Sequence, residues 1–226
     1  MALGVLTVLV TSGAADAANT ASLPAKQIVK NAVNASSNAS SVTITGLLRQ
    51  GSQTVVLNLI TAHGSGKGYI SIGGQRLDIV KIGPKTYLRG GAAFWKSAAG
   101  SASAANLLAN RWVTQNSIGA DFDSFLDVHQ LLTTNGSVES GVLTKAGTGT
   151  VNGQAAIIIH GHQPGDPSNG GRLYVAAHGA PYVLRISGSG GGNAGQITFS
   201  NYNQPVHLSK PPNVLDFGDL GNSGSG

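Results

Sequence analysis

Between Val42 and Arg89, and again between Gly141 and Tyr202, apolar residues alternate with polar ones in runs of strand length, each closed by Gly, Asn, Asp or Pro. Side chains two apart in an extended chain share a face, so this pattern dictates strands with one apolar side and one wet side. Val42 and Ile44, a turn at Gln50-Gly51-Ser52, then Val55, Leu57 and Leu59 read as a β-hairpin. Tyr69 to Ile72, a turn at Gly73-Gly74-Gln75, Leu77 to Ile82, a break at Gly83-Pro84 and Thr86 to Arg89 continue it as an antiparallel meander. Strands resume at Gly141 to Lys145, Ala155 to His162, Arg172 to Ala177, Tyr182 to Ser187 and Gln196 to Tyr202. Asn152-Gly153 and His178-Gly179-Ala180-Pro181 are hairpin turns, and Ser187 to Gly195 is expected to be a hairpin loop.

Helical spacing interrupts the strands at four places. Ser22 to Ser36 carries Ala25, Ile28, Val29, Ala32 and Val33 on one face behind Pro24. Ala92 to Lys96 and Ser101 to Asn110 are short and alanine-rich. Asp121 to Leu132 predicts one longer helix, with Phe122, Phe125, Leu126, His129 and Leu132 on a broad face and Asp121 and Asp123 at its start. The fold class that follows is α+β, a large antiparallel sheet with helices covering one face. A chain of 226 residues with 41% hydrophobic and 10% charged residues has the material for one core. The expected division is an export leader over 1–20, one domain over 21–217 and a Gly/Ser tail over 218–226. The leader rests on the apolar run Met1 to Val10 and the A-x-A shape of Ala15-Asp16-Ala17, a run too short to span a bilayer.

Most chemistry is excluded by what the residues lack. The formal charge of +5 is spread singly with no basic run, which argues against nucleic acid and leaves only peripheral attraction to a membrane surface. No cysteine is present, so there is no disulfide, thiolate metal site or thiol nucleophile. No serine sits in a G-x-S-x-G elbow. Gly64-Ser65-Gly66-Lys67-Gly68 lacks the Ser or Thr and the leading glycine of a phosphate loop and reads as a hairpin turn. The Gly188 to Gly195 glycines lack the elements of a dinucleotide site. Asp121, Asp123 and Asp127 read as a solvated helix start rather than a glycosidase pair. His160-Gly161-His162 places two rings on one side of a strand, but no third ligand follows from His63, His129, His178 or His207. No catalytic residue, metal or cofactor is expected.

The pieces Val151-Asn152-Gly153-Gln154, Gly171-Arg172-Leu173-Tyr174-Val175, Gly179-Ala180-Pro181-Tyr182-Val183-Leu184 and Ile197-Thr198-Phe199-Ser200-Asn201-Tyr202-Asn203-Gln204-Pro205-Val206, closed by Pro211-Pro212-Asn213-Val214-Leu215-Asp216, resemble the mycobacterial LppX/LprG-type lipoproteins. The resemblance implies a LolA-like half-barrel wrapped around helices. It also implies an apolar cavity that receives the acyl chains of lipids, glycolipids or lipoproteins and carries them between membranes without catalysis, as an exported monomer of the cell envelope. Members of that family are anchored through a lipidated cysteine after a Val-Thr-Ser-like box; here Val10-Thr11-Ser12 is followed by Gly13. Strand parity nominates Ile44, Leu57, Leu59, Leu77, Ile79, Ile157, Ile159, Leu184, Ile186, Ile197 and Phe199 for the cavity wall. Phe94, Trp95, Leu107, Leu108, Phe122, Phe125 and Leu126 would join from the helices. Two alternatives remain: an envelope sensor of the same fold that acts through a protein partner, and a metal protein built on His160 and His162.

Overall fold

The computed structural model describes residues 20–114, 124–133, 141–190 and 193–216. Most of the expected leader, Asp121 to Asp123, residue 217 and the expected tail over 218–226 lie outside these residues. Among the described residues twelve strands form a single open sheet: β1 (Val42–Gln50), β2 (Gln53–Ala62), β3 (Ser65–Ile72), β4 (Gln75–Ile82), β5 (Lys85–Gly90), β6 (Val113–Thr114), β7 (Val142–Val151), β8 (Gln154–Gln163), β9 (Asp166–Ala176), β10 (Val183–Gly190), β11 (Asn193–Ser200) and β12 (Leu215–Asp216). Their spatial order is β12-β6-β5-β4-β3-β2-β1-β11-β10-β9-β8-β7. Two hairpin meanders, β1 to β6 and β7 to β11, therefore join along the antiparallel β1–β11 seam, where Ile44 faces Phe199. Only the short β12–β6 pair is parallel.

One face of this sheet carries helices: α1 (Ala25–Ser37), α2 (Ala92–Ala99), α3 (Ala102–Leu108), a 3₁₀ turn (Ser124–Leu126) and α4 (Val128–Thr133). Helix α1 buries Ile28, Val29, Ala32 and Val33, the stripe read from its spacing, and packs against α4, β7, β9 and β10. Helix α2 packs on α3, β4 and β5 and stops at Gly100, whose left-handed φ of 67° suits a residue without Cβ. Among the described residues no helix is long and apolar enough to cross a membrane.

Four sequence expectations are corrected. The turn expected over Gly64 to Gly68 is confined to His63-Gly64, both at positive φ, and β3 begins at Ser65 paired with Ala62. The loop expected over Ser187 to Gly195 is mostly strand, because Ser187 pairs with Gln196 and Gly190 with Asn193; backbone pairing needs no side chains. The strand expected to end at Lys145 continues to Val151, through a register shift between Lys145 and Gly147. The helix expected from Asp121 to Leu132 is broken after Leu126. Asp127 accepts the Gln130 backbone N–H at 3.1 Å and so caps a new helix, α4, instead of lying on the flank of one long helix.

A buried polar tie fastens α1 to the second meander. The fully buried Ser36 hydroxyl accepts the Val183 N–H at 2.9 Å, and the Tyr202 hydroxyl donates to the Val183 carbonyl at 2.6 Å. Burial pushes the Tyr202 phenol far above its ordinary value, only partly offset by its bond to Ser36, so it stays neutral and a donor. Ser36→Ala leaves the Val183 N–H without its partner and is expected to cost about 1–3 kcal/mol in urea unfolding. Tyr202→Phe keeps that N–H paired and is expected to cost less.

Candidate functional site

An apolar pocket of about 340 Å³ opens where the β3–β4 hairpin meets α2. Its walls are Ile70 and Ile72 of β3, Leu77 of β4, Phe94 of α2, and the rim residues Gln53, Gly73 and Gln75. Local sequence builds it directly. Gly73 and Gly74, at φ 56° and 82°, close a tight turn that pairs Ile70 with Leu77 and Ile72 with Gln75, so the two isoleucines and Leu77 share the helix-bearing face. Phe94 reaches this face because Gly90 has no side chain: a Cβ there would stand 2.8 Å from the Phe94 ring and 3.3 Å from Leu77 Cδ1. The Phe94 ring meets Trp95 edge-on at 5.0 Å.

The lining contains no acid, base, thiol or hydroxyl. Its polar groups are two neutral glutamine amides at the rim. Such a wall is suited to contact with apolar groups. Close behind it, the Trp95 indole N–H is fully buried and makes no hydrogen bond among the described residues. A buried donor without a partner costs about 1–3 kcal/mol.

Of the residues nominated from sequence, Leu77 and Phe94 line this pocket. Ile44, Leu57, Leu59, Ile79, Trp95, Leu108, Leu126, Ile157, Ile159, Ile197 and Phe199 are packed in the main core, with Ile186 and Phe125 half-buried against it. Two are placed elsewhere. Leu107 is 52% exposed, because Ala105 and Leu108, three apart, already occupy the buried face of α3. Leu184 sits in a separate cluster with Val151, Ala156 and Ala176. A bulge sets Val183 opposite Val175 and Arg185 opposite Tyr174, so Val183 takes the core side and Leu184 the other. Phe122 lies outside the described residues. Sequence reading passed over Ile70 and Ile72, although the Gly73-Gly74 turn it recognised already sets Ile70 beside Leu77.

Among the described residues the other polar clusters are small. The His160 and His162 rings lie 5.8 Å apart, and His162 Nδ1 is 3.0 Å from the Gln163 carbonyl. No group of three His, Cys, Asp or Glu side chains gathers among the described residues.

An open, mostly antiparallel sheet with its helices gathered on one face is an α+β architecture. Solved structures share this fold. The chain is similar to the lipoprotein LppX of Mycobacterium tuberculosis, at 18% identity and a TM-score of 0.54 over 81% of this chain and 97% of that one. It is also similar to LprF of Mycobacterium bovis, at 16% identity and a TM-score of 0.56 over 83% of this chain and 96% of that one. At such identities the likeness is one of fold, the fold that the sequence resemblance implies. No family model and no curated protein sequence matches the chain.

Proposed function

We propose that this chain is an exported, non-enzymatic carrier that shields an acyl chain of an envelope lipid, glycolipid or lipoprotein. The observation that carries the reading is the aliphatic and aromatic pocket between the β3–β4 hairpin and α2, with no reactive side chain in its wall. Its volume of about 340 Å³ lies at the small end of the roughly 300–1,000 Å³ usual for ligand pockets, enough for a segment of one tail. A longer tail requires α2 to lift from β4 and β5, the elements it packs on. Each methylene buried from water is worth about 0.8 kcal/mol, but a membrane offers the same gain, so transfer is close to balanced. A carrier needs that balance to load and to release.

The fold shared with LppX and LprF supports the same reading without naming a cargo. The large exposed hydrophobic residues Leu47, Ile72, Leu107 and Val142 lie on four different elements, so nothing among the described residues favours a sensor that docks a protein through one broad patch. Organic extraction of protein purified from an envelope-bearing host, followed by mass spectrometry, is expected to release acyl lipid in molar proportion to protein. A lipid-free protein that also takes up no added fluorescent fatty acid contradicts the proposal.

A further inference from the structure

Beside the apolar pocket, and sharing Gln75 and Phe94 with it, lies a second hollow of about 560 Å³ with a different chemistry. Two guanidinium groups, Arg76 and Arg89, border it from the face of the sheet away from the core, and the hollow runs round the sheet end at Gly74, Gly90 and Gly91 to Phe94 on the helix-bearing side. Asp78 holds both: Arg76 Nη2 is 2.7 Å from Oδ1 and Arg89 Nη2 is 2.9 Å from Oδ2, each seconded by its Nε. Arg76 also lies over the Tyr69 ring at 3.7 Å, and Arg89 over Trp112 at 4.8 Å. Each guanidinium has five N–H donors and gives Asp78 only its Nε and Nη2 edge, so the pair is fixed in place with donors left over and a net positive charge. Gly91, Ala92 and Ala93 line the same hollow at the start of α2, where no side chain caps the helix and no acid stands in its first turn.

From this juxtaposition of a basic, donor-rich hollow with a hydrocarbon pocket across one phenylalanine, we infer that the carried molecule is an amphiphile with an anionic head group, phosphate-like or carboxylate, seated on Arg76 and Arg89 while its chain lies against Ile70, Leu77 and Phe94. The inference rests on the acyl-carrier reading and narrows it to one class of cargo. A neutral head group gains less from two oriented guanidiniums than an anion, which meets them in charge-assisted hydrogen bonds. Both arginines are partly exposed, so the preference is salt-sensitive.

The test is titration of the whole protein with dodecyl phosphate, dodecyl maltoside and inorganic phosphate, at low and high salt. Dodecyl phosphate is expected to bind about tenfold more tightly than dodecyl maltoside at low salt, a difference of about 1.4 kcal/mol that shrinks as salt rises. Arg76→Gln and Arg89→Gln are expected to reduce that ratio towards one. Gly91→Asp guards against loss of fold. Gly91 has φ −73° and open space around its Cβ, and aspartate is a favoured helix cap, so its melting temperature should not fall while its own charge abolishes the preference. Equal affinity for the two amphiphiles, or a preference that survives both arginine variants, overturns the inference and leaves the carrier intact. Inorganic phosphate that competes as tightly as dodecyl phosphate makes this a free-anion site and overturns the head-group assignment. Failure of both amphiphiles to bind overturns the carrier reading as well.

Discussion

Ile72→Trp is expected to weaken binding of an acyl chain more than about tenfold while leaving the unfolding transition of the protein nearly unchanged. Ile72 stands at the end of β3 on the pocket wall and is 40% exposed, so a larger ring there has room to lie across the opening without forcing apart a filled core. Excluding two or three methylenes, at about 0.8 kcal/mol each, exceeds the 1.4 kcal/mol that corresponds to a tenfold loss. The contrast is Leu57, which strand parity makes an equally attractive target. At 2% exposure it is part of the filled core, and Leu57→Trp is expected to overpack, costing about 1–3 kcal/mol of stability with no specific effect on uptake. Unchanged affinity of Ile72→Trp for a fluorescent fatty acid contradicts the placement of the pocket.

Gly68→Ala is expected to be among the most destabilising single-methyl changes in the chain. Gly68 lies inside β3 at φ 149°, and a Cβ there runs into the Asn58 carbonyl oxygen and stands 2.7 Å from Leu59 Cα, both backbone atoms of β2 that cannot swing aside. Backbone strain of about 1–3 kcal/mol and a packing conflict of about 1–3 kcal/mol add to roughly 2–6 kcal/mol, against a total that for a domain is about 5–15 kcal/mol. Gly73→Ala provides the scale. Its φ of 56° is also left-handed, but its Cβ would meet nothing within 4 Å, so only conformational strain of about 1–2 kcal/mol is expected. Urea titrations that place Gly68→Ala within about 1 kcal/mol of the wild type contradict this account of the β2–β3 contact.

These two glycines also show why the sheet was easier to read than the pocket. Gly73-Gly74 between two alternating runs is a direct hairpin signal, and most strands, their antiparallel order within each meander and the buried stripe of α1 follow from such local patterns. Gly66 and Gly68 carry the same letters as turn glycines but serve close approach between strands, a distinction that depends on what lies opposite. Leu184 fails for a related reason: parity holds only until a bulge, and nothing between Val183 and Arg185 marks one. Asp127 was legible as a polar residue in a helical run, yet whether such a residue decorates a helix or starts a new one depends on the chain direction before it. The pocket itself is a sum of volumes left over after Ile70, Leu77 and Phe94 settle around Gly90. Parity tells which side chains face inward but not which inward space stays unfilled, so among the described residues most of those nominated fill the core, and Leu77 and Phe94 reach the pocket.

Hydrocarbon is expected to enter the seam between the β3–β4 hairpin and α2. Protein with ¹³C-labelled isoleucine and leucine methyl groups, titrated with a fatty acid that carries a nitroxide near the end of its chain, tests this directly by NMR. Selective broadening of the Ile70, Ile72 and Leu77 methyl signals, with Ile159 on β8 and Leu173 on β9 much less affected, is the expected result. Broadening that spares these three residues at a saturating concentration of the acid, or that strikes all labelled methyl groups alike, contradicts it.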